Sequence, residues 1–335
     1  MALRVLQPVE RRRRRRRGPR LVLVAGLVAA VVTLGLWRLD VPFRHAHSTG
    51  PAAARAPSRK PGGRGPLPVQ RPVRPLRLLT GSAALESRRL VPPLRARSAI
   101  LVDASTGRVL WALRPHRRRP IASTTKIMTA LLALQRLPLH GLVRVAPQAT
   151  QVPLVKEGLR PREQVRVWKL LYSLLLYSGN DDATALAIAA GGSRPGFLVL
   201  MNGEARRLGL SDTHFNSPSG ALDSRNYSTA WDLAALARYA LRDARFRRIV
   251  RTQIKRVRWS APTYAKEYVN NNLLLRTYRG ANGVKTGWTT KAGHCLVASA
   301  KRGRVELIAV VLRSSDTYGD ARRLLDLGFS EIGAG

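Results

Sequence analysis

The chain has 335 residues, with 59 Lys+Arg against 19 Asp+Glu, a formal net charge of +40 and 45% hydrophobic residues. That composition excludes wholesale disorder and leaves ample chain for a hydrophobic core. One cysteine excludes an intramolecular disulfide framework and a Cys-rich zinc site; no metal motif occurs elsewhere and no cofactor is expected.

So basic a chain raises the question of nucleic acid. Residues 1–97 carry 22 Lys+Arg and 3 acids, and residues 98–335 carry 37 and 16, so nearly half the excess lies in the first third of the chain. Nine of the cations are Lys and fifty are Arg. A preference that holds in every segment reads as compositional habit and a solvated basic surface, so no nucleic-acid partner is expected. An anionic cell-surface polymer or anionic lipid would also be attracted to such a surface.

In chain order, an arginine run at Arg11 to Arg17 within residues 1–20 precedes an uncharged stretch, Leu21 to Trp37. Its 17 residues just suffice for a helix crossing a hydrocarbon core. They exceed the usual core of a cleaved signal, and no small-x-small site follows directly. The expectation is an uncleaved signal-anchor over 21–37, with residues 1–20 held in the cytoplasm by the positive-inside rule. The rest would lie on the outer side of the cytoplasmic membrane. Residues 38–97 are rich in Pro, Gly and Arg, which reads as an extended linker without regular elements. His45 and His47 in it have no partners that suggest a metal site.

From Ser98 to 335 the pattern is globular. Ser98–Asp103 and Gly107–Leu113 read as two strands joined by a hairpin turn. Pro120 to Leu134 then takes helical spacing, with Ser123 at its start and Lys126 one turn later. Residues three apart share a helix face, so hydroxyl and amine can touch, and the helix N-terminus offers N–H groups to an oxyanion. Lysine at 126 is notable in so Arg-rich a chain. Arg stays protonated and cannot act as a base, whereas a desolvated Lys beside another cation can.

Trp168–Tyr177 reads as a further helix, followed by Ser178-Gly-Asn180 and a new helix from Asp181. Ser178 and Asn180 are therefore expected on an inter-helix loop that reaches a cleft. Lys285-Thr286-Gly287-Trp288 precedes an apolar strand, Ala292 to Ala298, on which Cys295 is expected as a packed core thiol. Gly287 would let a substrate backbone approach that strand. Lys285, another of the nine lysines, is the expected second cation.

Ser-x-x-Lys, Ser-x-Asn and Lys-Thr-Gly in that order are the signature of the penicillin-recognising serine acyl-enzymes. With Ile121–Ala130, Leu174–Asp181, Phe197–Asn202, Phe215–Gly220 and Tyr227–Ala230, the chain from Ser98 to about Ser330 resembles the D-alanyl-D-alanine carboxypeptidases of the low-molecular-mass penicillin-binding protein type. The resemblance implies an α+β fold of the β-lactamase/transpeptidase kind, a mainly antiparallel sheet covered by helices plus an all-helical lobe. It implies that Ser123 attacks the bond between two terminal D-alanines of a peptidoglycan stem peptide and that Lys126 is general base. Ser178 would relay a proton, and Asn180 would position Lys126 and the substrate amide. Lys285 would keep the site cationic, Thr286 would hold the terminal carboxylate, and the N–H groups of Ser123 and Trp288 would form the oxyanion hole. β-Lactams would acylate Ser123.

Some relatives carry a C-terminal β-rich domain and an amphipathic tail, for which the 50 residues after Lys285 leave no length. The N-terminal span is therefore the expected anchor. Trp288 stands where some members have His, which bears on substrate preference. Asn202 and Asn216 fit a structural role as well as a functional one. The other readings are a D,D-endopeptidase cutting crosslinks with the same site, a serine β-lactamase, and a non-catalytic wall-binding protein. A β-lactamase would need a water-activating group, and Glu157 and Glu163 are the acids between the first two motifs. The six histidines show no pattern around a nucleophile.

Overall fold

The computed structural model describes residues 78–80, 93–153, 155–221, 225–259 and 265–333. The expected cytoplasmic tail (1–20), anchor (21–37) and most of the linker lie outside the described residues. Among the described residues, no single helix is long and apolar enough to cross a membrane.

Elements follow in the order β1 (Leu79–Thr80), β2 (Ser98–Asp103), β3 (Arg108–Leu113) and β4 (Arg119–Pro120). A 3-10 turn, Ala122–Thr125, runs into α1 (Lys126–Arg136). Next come β5 (Leu142–Arg144), α2 (Pro147–Thr150), β6 (Gln164–Arg166) and α3 (Val167–Tyr172), which continues into a π-helical turn, Ser173–Tyr177. They are followed by α4 (Asn180–Gly191), α5 (Arg194–Arg207), β7 (Tyr227–Ser228), α6 (Ala230–Ala240) and α7 (Ala244–Val250). The chain continues through β8 (Ile254–Val257), β9 (Lys266–Val269), α8 (Leu274–Thr277), β10 (Ala281–Thr289), β11 (Gly293–Arg302), β12 (Val305–Ser314) and α9 (Thr317–Glu331).

Six strands form one sheet in the order β1-β3-β2-β12-β11-β10. The short β1–β3 contact is parallel and the remaining pairs are antiparallel. The run Leu307 to Leu312 is wholly buried because helices cover both faces of the sheet, which is why it reads as unbroken apolar sequence and not as an alternation. Period two still sorts the side chains in β2. Ile100 and Val102 face the larger helical core, whereas Ala99 and Leu101 face Leu324, Leu325 and Phe329 of α9.

On the larger face, α1 is buried from Lys126 to Leu134. A helix apolar on nearly all sides needs neighbours all round, and its surroundings include the buried faces of α4, α6 and the π-helical turn. Burying α1 in this way carries Lys126, at its first position, out of water. The expected hairpin β2–β3 is present, with Asp103 accepting from the backbone of Ser105 and Thr106. Leu79–Thr80, within the stretch read as linker, join the sheet beside β3, and Leu78 is buried, so regular structure begins further back than the composition indicated.

Candidate active site

The first motif works through local geometry. The 3-10 turn starts at Ala122, and α1 places Lys126 one turn after Ser123 with Nζ 2.9 Å from Ser123 Oγ. Nζ also donates to Asn180 Oδ1 and to the Ser219 carbonyl, each at 2.8 Å. A neutral amine has two N–H donors and one lone pair. With two partners that only accept, its lone pair is left for the Ser123 hydroxyl proton. Lys126 is fully buried, and burial followed by the charge of Lys285 pushes its pKa well below the ordinary lysine value, against the opposing pull of Asp182 and Asp181. Lys285 is itself buried on β10, where it pairs with Val297, and burial alone brings it down to about 7. Its Nζ donates to the Thr286 carbonyl at 3.0 Å.

The second motif follows the π-helical turn. Ser178 adopts a left-handed backbone at φ 82, and its N–H donates to the Ser173 carbonyl at 2.8 Å. A non-glycine residue rarely takes that conformation; here it breaks the helix axis and brings Ser178 to the cleft. Asn180 is the first residue of α4 and not a loop residue as expected. This gives it a fixed helical direction, with Nδ2 on the Pro153 carbonyl at 3.1 Å and Oδ1 on Lys126.

The third motif lies on β10, the last strand of the sheet. The expectation for Gly287 needs correction: a Cβ there would stand 2.8 Å from the Ser123 nitrogen and 3.1 Å from the Thr124 nitrogen. The missing side chain makes room for the nucleophile's own turn, which packs directly against the strand. Trp288 is 57% exposed, so its ring stands out at the cleft mouth.

Ser123, Ser178, Thr286, Gly287 and Trp288 line one cleft of about 510 Å3, with Arg276 on its wall. Lys126, Asn180 and Lys285 are buried beside it. All the expected site residues are thus brought together, a hydroxyl facing solvent over a buried amine and a second buried amine nearby.

Several contributors could not be singled out from the sequence, although Ser219 and Gly220 stand in the Phe215–Gly220 stretch that carries the family resemblance. The Ser219 carbonyl is a backbone group, which residue type does not reveal. Asn226 holds the loop that presents it: Oδ1 accepts from the Asn216 and Ser217 amides, and Nδ2 donates to Ser217 O and Thr125 Oγ1. Gly220, at φ +69, sits so close to Ala122 O that a Cβ would overlap it at 1.9 Å. Arg276 is one arginine among fifty. Asn202 resolves as structural, since its amide exchanges hydrogen bonds with the backbone of Phe215.

Behind Ser178 lies a buried acidic cluster. Asp181 accepts from the amides of Glu157, Gly158 and Leu159. Ser173 Oγ lies 2.5 Å from Asp182 Oδ2 and 2.9 Å from Glu157 Oε2; its single O–H can serve Glu157 while it accepts from a protonated Asp182, and Glu157 is ion-paired with Lys266. Burial, then Asp181 and Glu157, raise the Asp182 carboxyl well above its ordinary range. Glu157 is committed to this cluster, Glu163 Oε2 accepts from the Arg160 amide, and neither lines the cleft. Cys295 is a buried thiol pushed up to about 11 by burial, as its place on an apolar strand indicated.

The profile of the family described as D-alanyl-D-alanine carboxypeptidase matches residues 86–316. D-alanyl-D-alanine carboxypeptidase DacF of Bacillus subtilis is 34% identical over 246 residues, covering 70% of this chain and 62% of that protein. The D-alanyl-D-alanine endopeptidase of Escherichia coli is 33% identical over 239 residues, covering 70% of this chain and 77% of that protein. A solved mutant of the Streptomyces K15 DD-transpeptidase superposes with a TM-score of 0.67 at 34% identity, covering 71% of this chain and 99% of that one.

Proposed function

The chain belongs to the D-alanyl-D-alanine carboxypeptidase family of serine peptidases, and from that membership we propose that it removes the terminal D-alanine from peptidoglycan stem peptides through an acyl-enzyme on Ser123. The observation that carries this reading is the fully buried Lys126 amine, 2.9 Å from the Ser123 hydroxyl with its other partners already supplied.

In the proposed reaction the stem peptide lies along the free edge of β10 as an added strand. Ser123 Oγ attacks the carbonyl carbon of the penultimate D-alanine while its proton passes to Lys126 Nζ. The oxyanion that forms is held by the N–H groups of Ser123 and Trp288. The C–N bond then breaks, the leaving amine takes a proton from the Ser178 hydroxyl, and Lys126 replaces the proton lost by Ser178. D-Alanine departs. Water attacks the ester, giving its proton back through Lys126, and Ser123 is released. Lys285 and Thr286 meet the terminal carboxylate, and a β-lactam enters as a mimic of the dipeptide.

The N-terminal segment fits the same setting: residues 21–37 as a membrane anchor, residues 1–20 in the cytoplasm, and the catalytic domain on the outer side among its substrates. The direct test is D-alanine release by the detergent-solubilised full chain from a stem peptide ending in D-Ala-D-Ala, beside Ser123→Ala. Release that vanishes in the variant supports the reading. A folded, penicillin-reactive wild type that releases none, but cuts a crosslinked dimer, would make the chain an endopeptidase instead.

A further inference from the structure

A second pocket, of about 570 Å3, is lined by Arg97, Arg114, Arg117, Arg119 and Arg313. The sheet brings them together from separate stretches of chain. Arg97 precedes β2 and its N–H donates to the Leu312 and Arg313 carbonyls, which draws it beside the end of β12. The Arg119 guanidinium donates to Ser98 Oγ at 2.7 Å and to the Arg97 carbonyl at 3.0 Å. Arg118, between two of the five, turns away to pair with Asp212 at 2.8 Å.

No carboxylate lines this pocket, and among the described residues none of the five guanidiniums is ion-paired. Burial first, then the charges of Arg313, Arg117, Arg114 and Arg97, hold Arg119 below its ordinary value. Arg114 and Arg313 also sit in the left-handed region, at φ 44 and 53. Non-glycine residues held there are strained, a feature that concentrates at binding sites. Clustered like charges and strained backbone both oppose folding, and an anion bound among the arginines would offset them.

The pocket shares a wall with the catalytic cleft. Pro120, directly after Arg119, places its carbonyl 4.0 Å from Cys295 Sγ. Gly293 packs against Arg313, where a Cβ would meet Arg313 Cγ at 3.1 Å, and the next two residues, His294 and Cys295, line the cleft.

We propose that the five arginines form a binding site for a multiply charged phosphate group, presented by a phosphate polymer or a phospholipid headgroup next to the cleft. A planar guanidinium matches phosphate in a two-pronged geometry. One carboxylate would leave most of the five cations uncompensated, whereas a polyphosphate or a dianionic phosphate ester satisfies several at once. Binding there would hold the cleft against a phosphate-rich surface.

The test is equilibrium binding of tripolyphosphate to the full chain in detergent at physiological salt, where weak surface attraction is screened. The variant is Arg114→Gln with Arg117→Gln, both exposed; the control is Arg248→Gln with Arg251→Gln, also exposed, which removes equal charge elsewhere. The expected result is binding at least about tenfold weaker in the first pair and unchanged in the control. Competition by poly(glycerol phosphate) would assign a polymer as the source, and competition by monomeric dihexanoyl phosphatidic acid a lipid headgroup. Equal weakening in both pairs, or no wild-type binding, would overturn the proposal.

Discussion

Gly287 lies against Ser123 so closely that a Cβ on the glycine would come within 2.8 Å of the serine's backbone nitrogen. The edge strand and the nucleophile's turn therefore form one rigid seam, and the N–H that would face an oxyanion is set by both. The atoms in the way are the Ser123 and Thr124 backbone nitrogens and Ala122 Cβ, none of which can rotate aside as the end of a long side chain can.

Gly287→Ala is therefore expected to do more than narrow the cleft. Displacing the Ser123 turn by a few tenths of an ångström should slow acylation by benzylpenicillin on the order of a hundredfold. Overpacking should also lower stability by about 1–3 kcal/mol. Stopped-flow acylation and thermal melting measure the two effects separately; an acylation rate near wild type would show that the seam has slack.

Lys126→Arg puts a permanent cation where burial favours a neutral amine, and it removes the capacity to accept a proton. Loss of a general base typically costs about 10²–10⁴ in rate. The acylation rate should fall within that range and should not recover at raised pH. Recovery at high pH would mean that another group takes the Ser123 proton.

Lys285 provides a pH signature. Folded, it titrates at about 7; unfolded, it titrates near ~10.4. Between those values the unfolded chain binds a proton that the folded chain does not, so this residue makes stability rise with pH across that window. Below about 7 both forms are protonated and its contribution is flat. Lys285→Met should remove that rise, visible as a flatter curve of Tm against pH from 7 to 10 than for wild type. Parallel curves for the two proteins would place the Lys285 pKa near its unfolded value.

Asn226 is not in contact with the reacting atoms, yet its amide makes four hydrogen bonds that hold residues 216–217 against Thr125. Through that loop it presents the Ser219 carbonyl to Lys126. Asn226→Ala leaves the buried Ser217 amide and the part-buried Asn216 amide without their acceptor, a loss of about 1–3 kcal/mol, and it frees the loop. The expected result is a lower Tm together with an acylation profile shifted in pH, because Lys126 loses a fixed partner. A lower Tm with an unchanged pH profile would reduce Asn226 to a purely structural role.

The sequence by itself determined what short spacing can determine. Ser123 and Lys126 are one turn apart, so their contact needs only a helix, and the three motifs in order name the reaction class without a fold. Apolar runs such as Ser98–Asp103 and Ala292 to Ala298 likewise announced strands, and Cys295 a core thiol. Tertiary structure alone decided the rest. The acidity of Lys126 depends on burial by elements far along the chain and on Lys285 across the site, and desolvation has no local code. The Ser219 carbonyl is invisible to residue type. Asn180 was misplaced by one element because Ser178, in a left-handed conformation, ends one helix just two residues before the next begins. Gly287 was read as an opening for substrate, whereas its space is taken by Ser123 itself; a close approach between backbones 164 positions apart is fixed only when the sheet and α1 pack together. The five convergent arginines make the same point, since in a chain with fifty of them only the fold shows which ones meet.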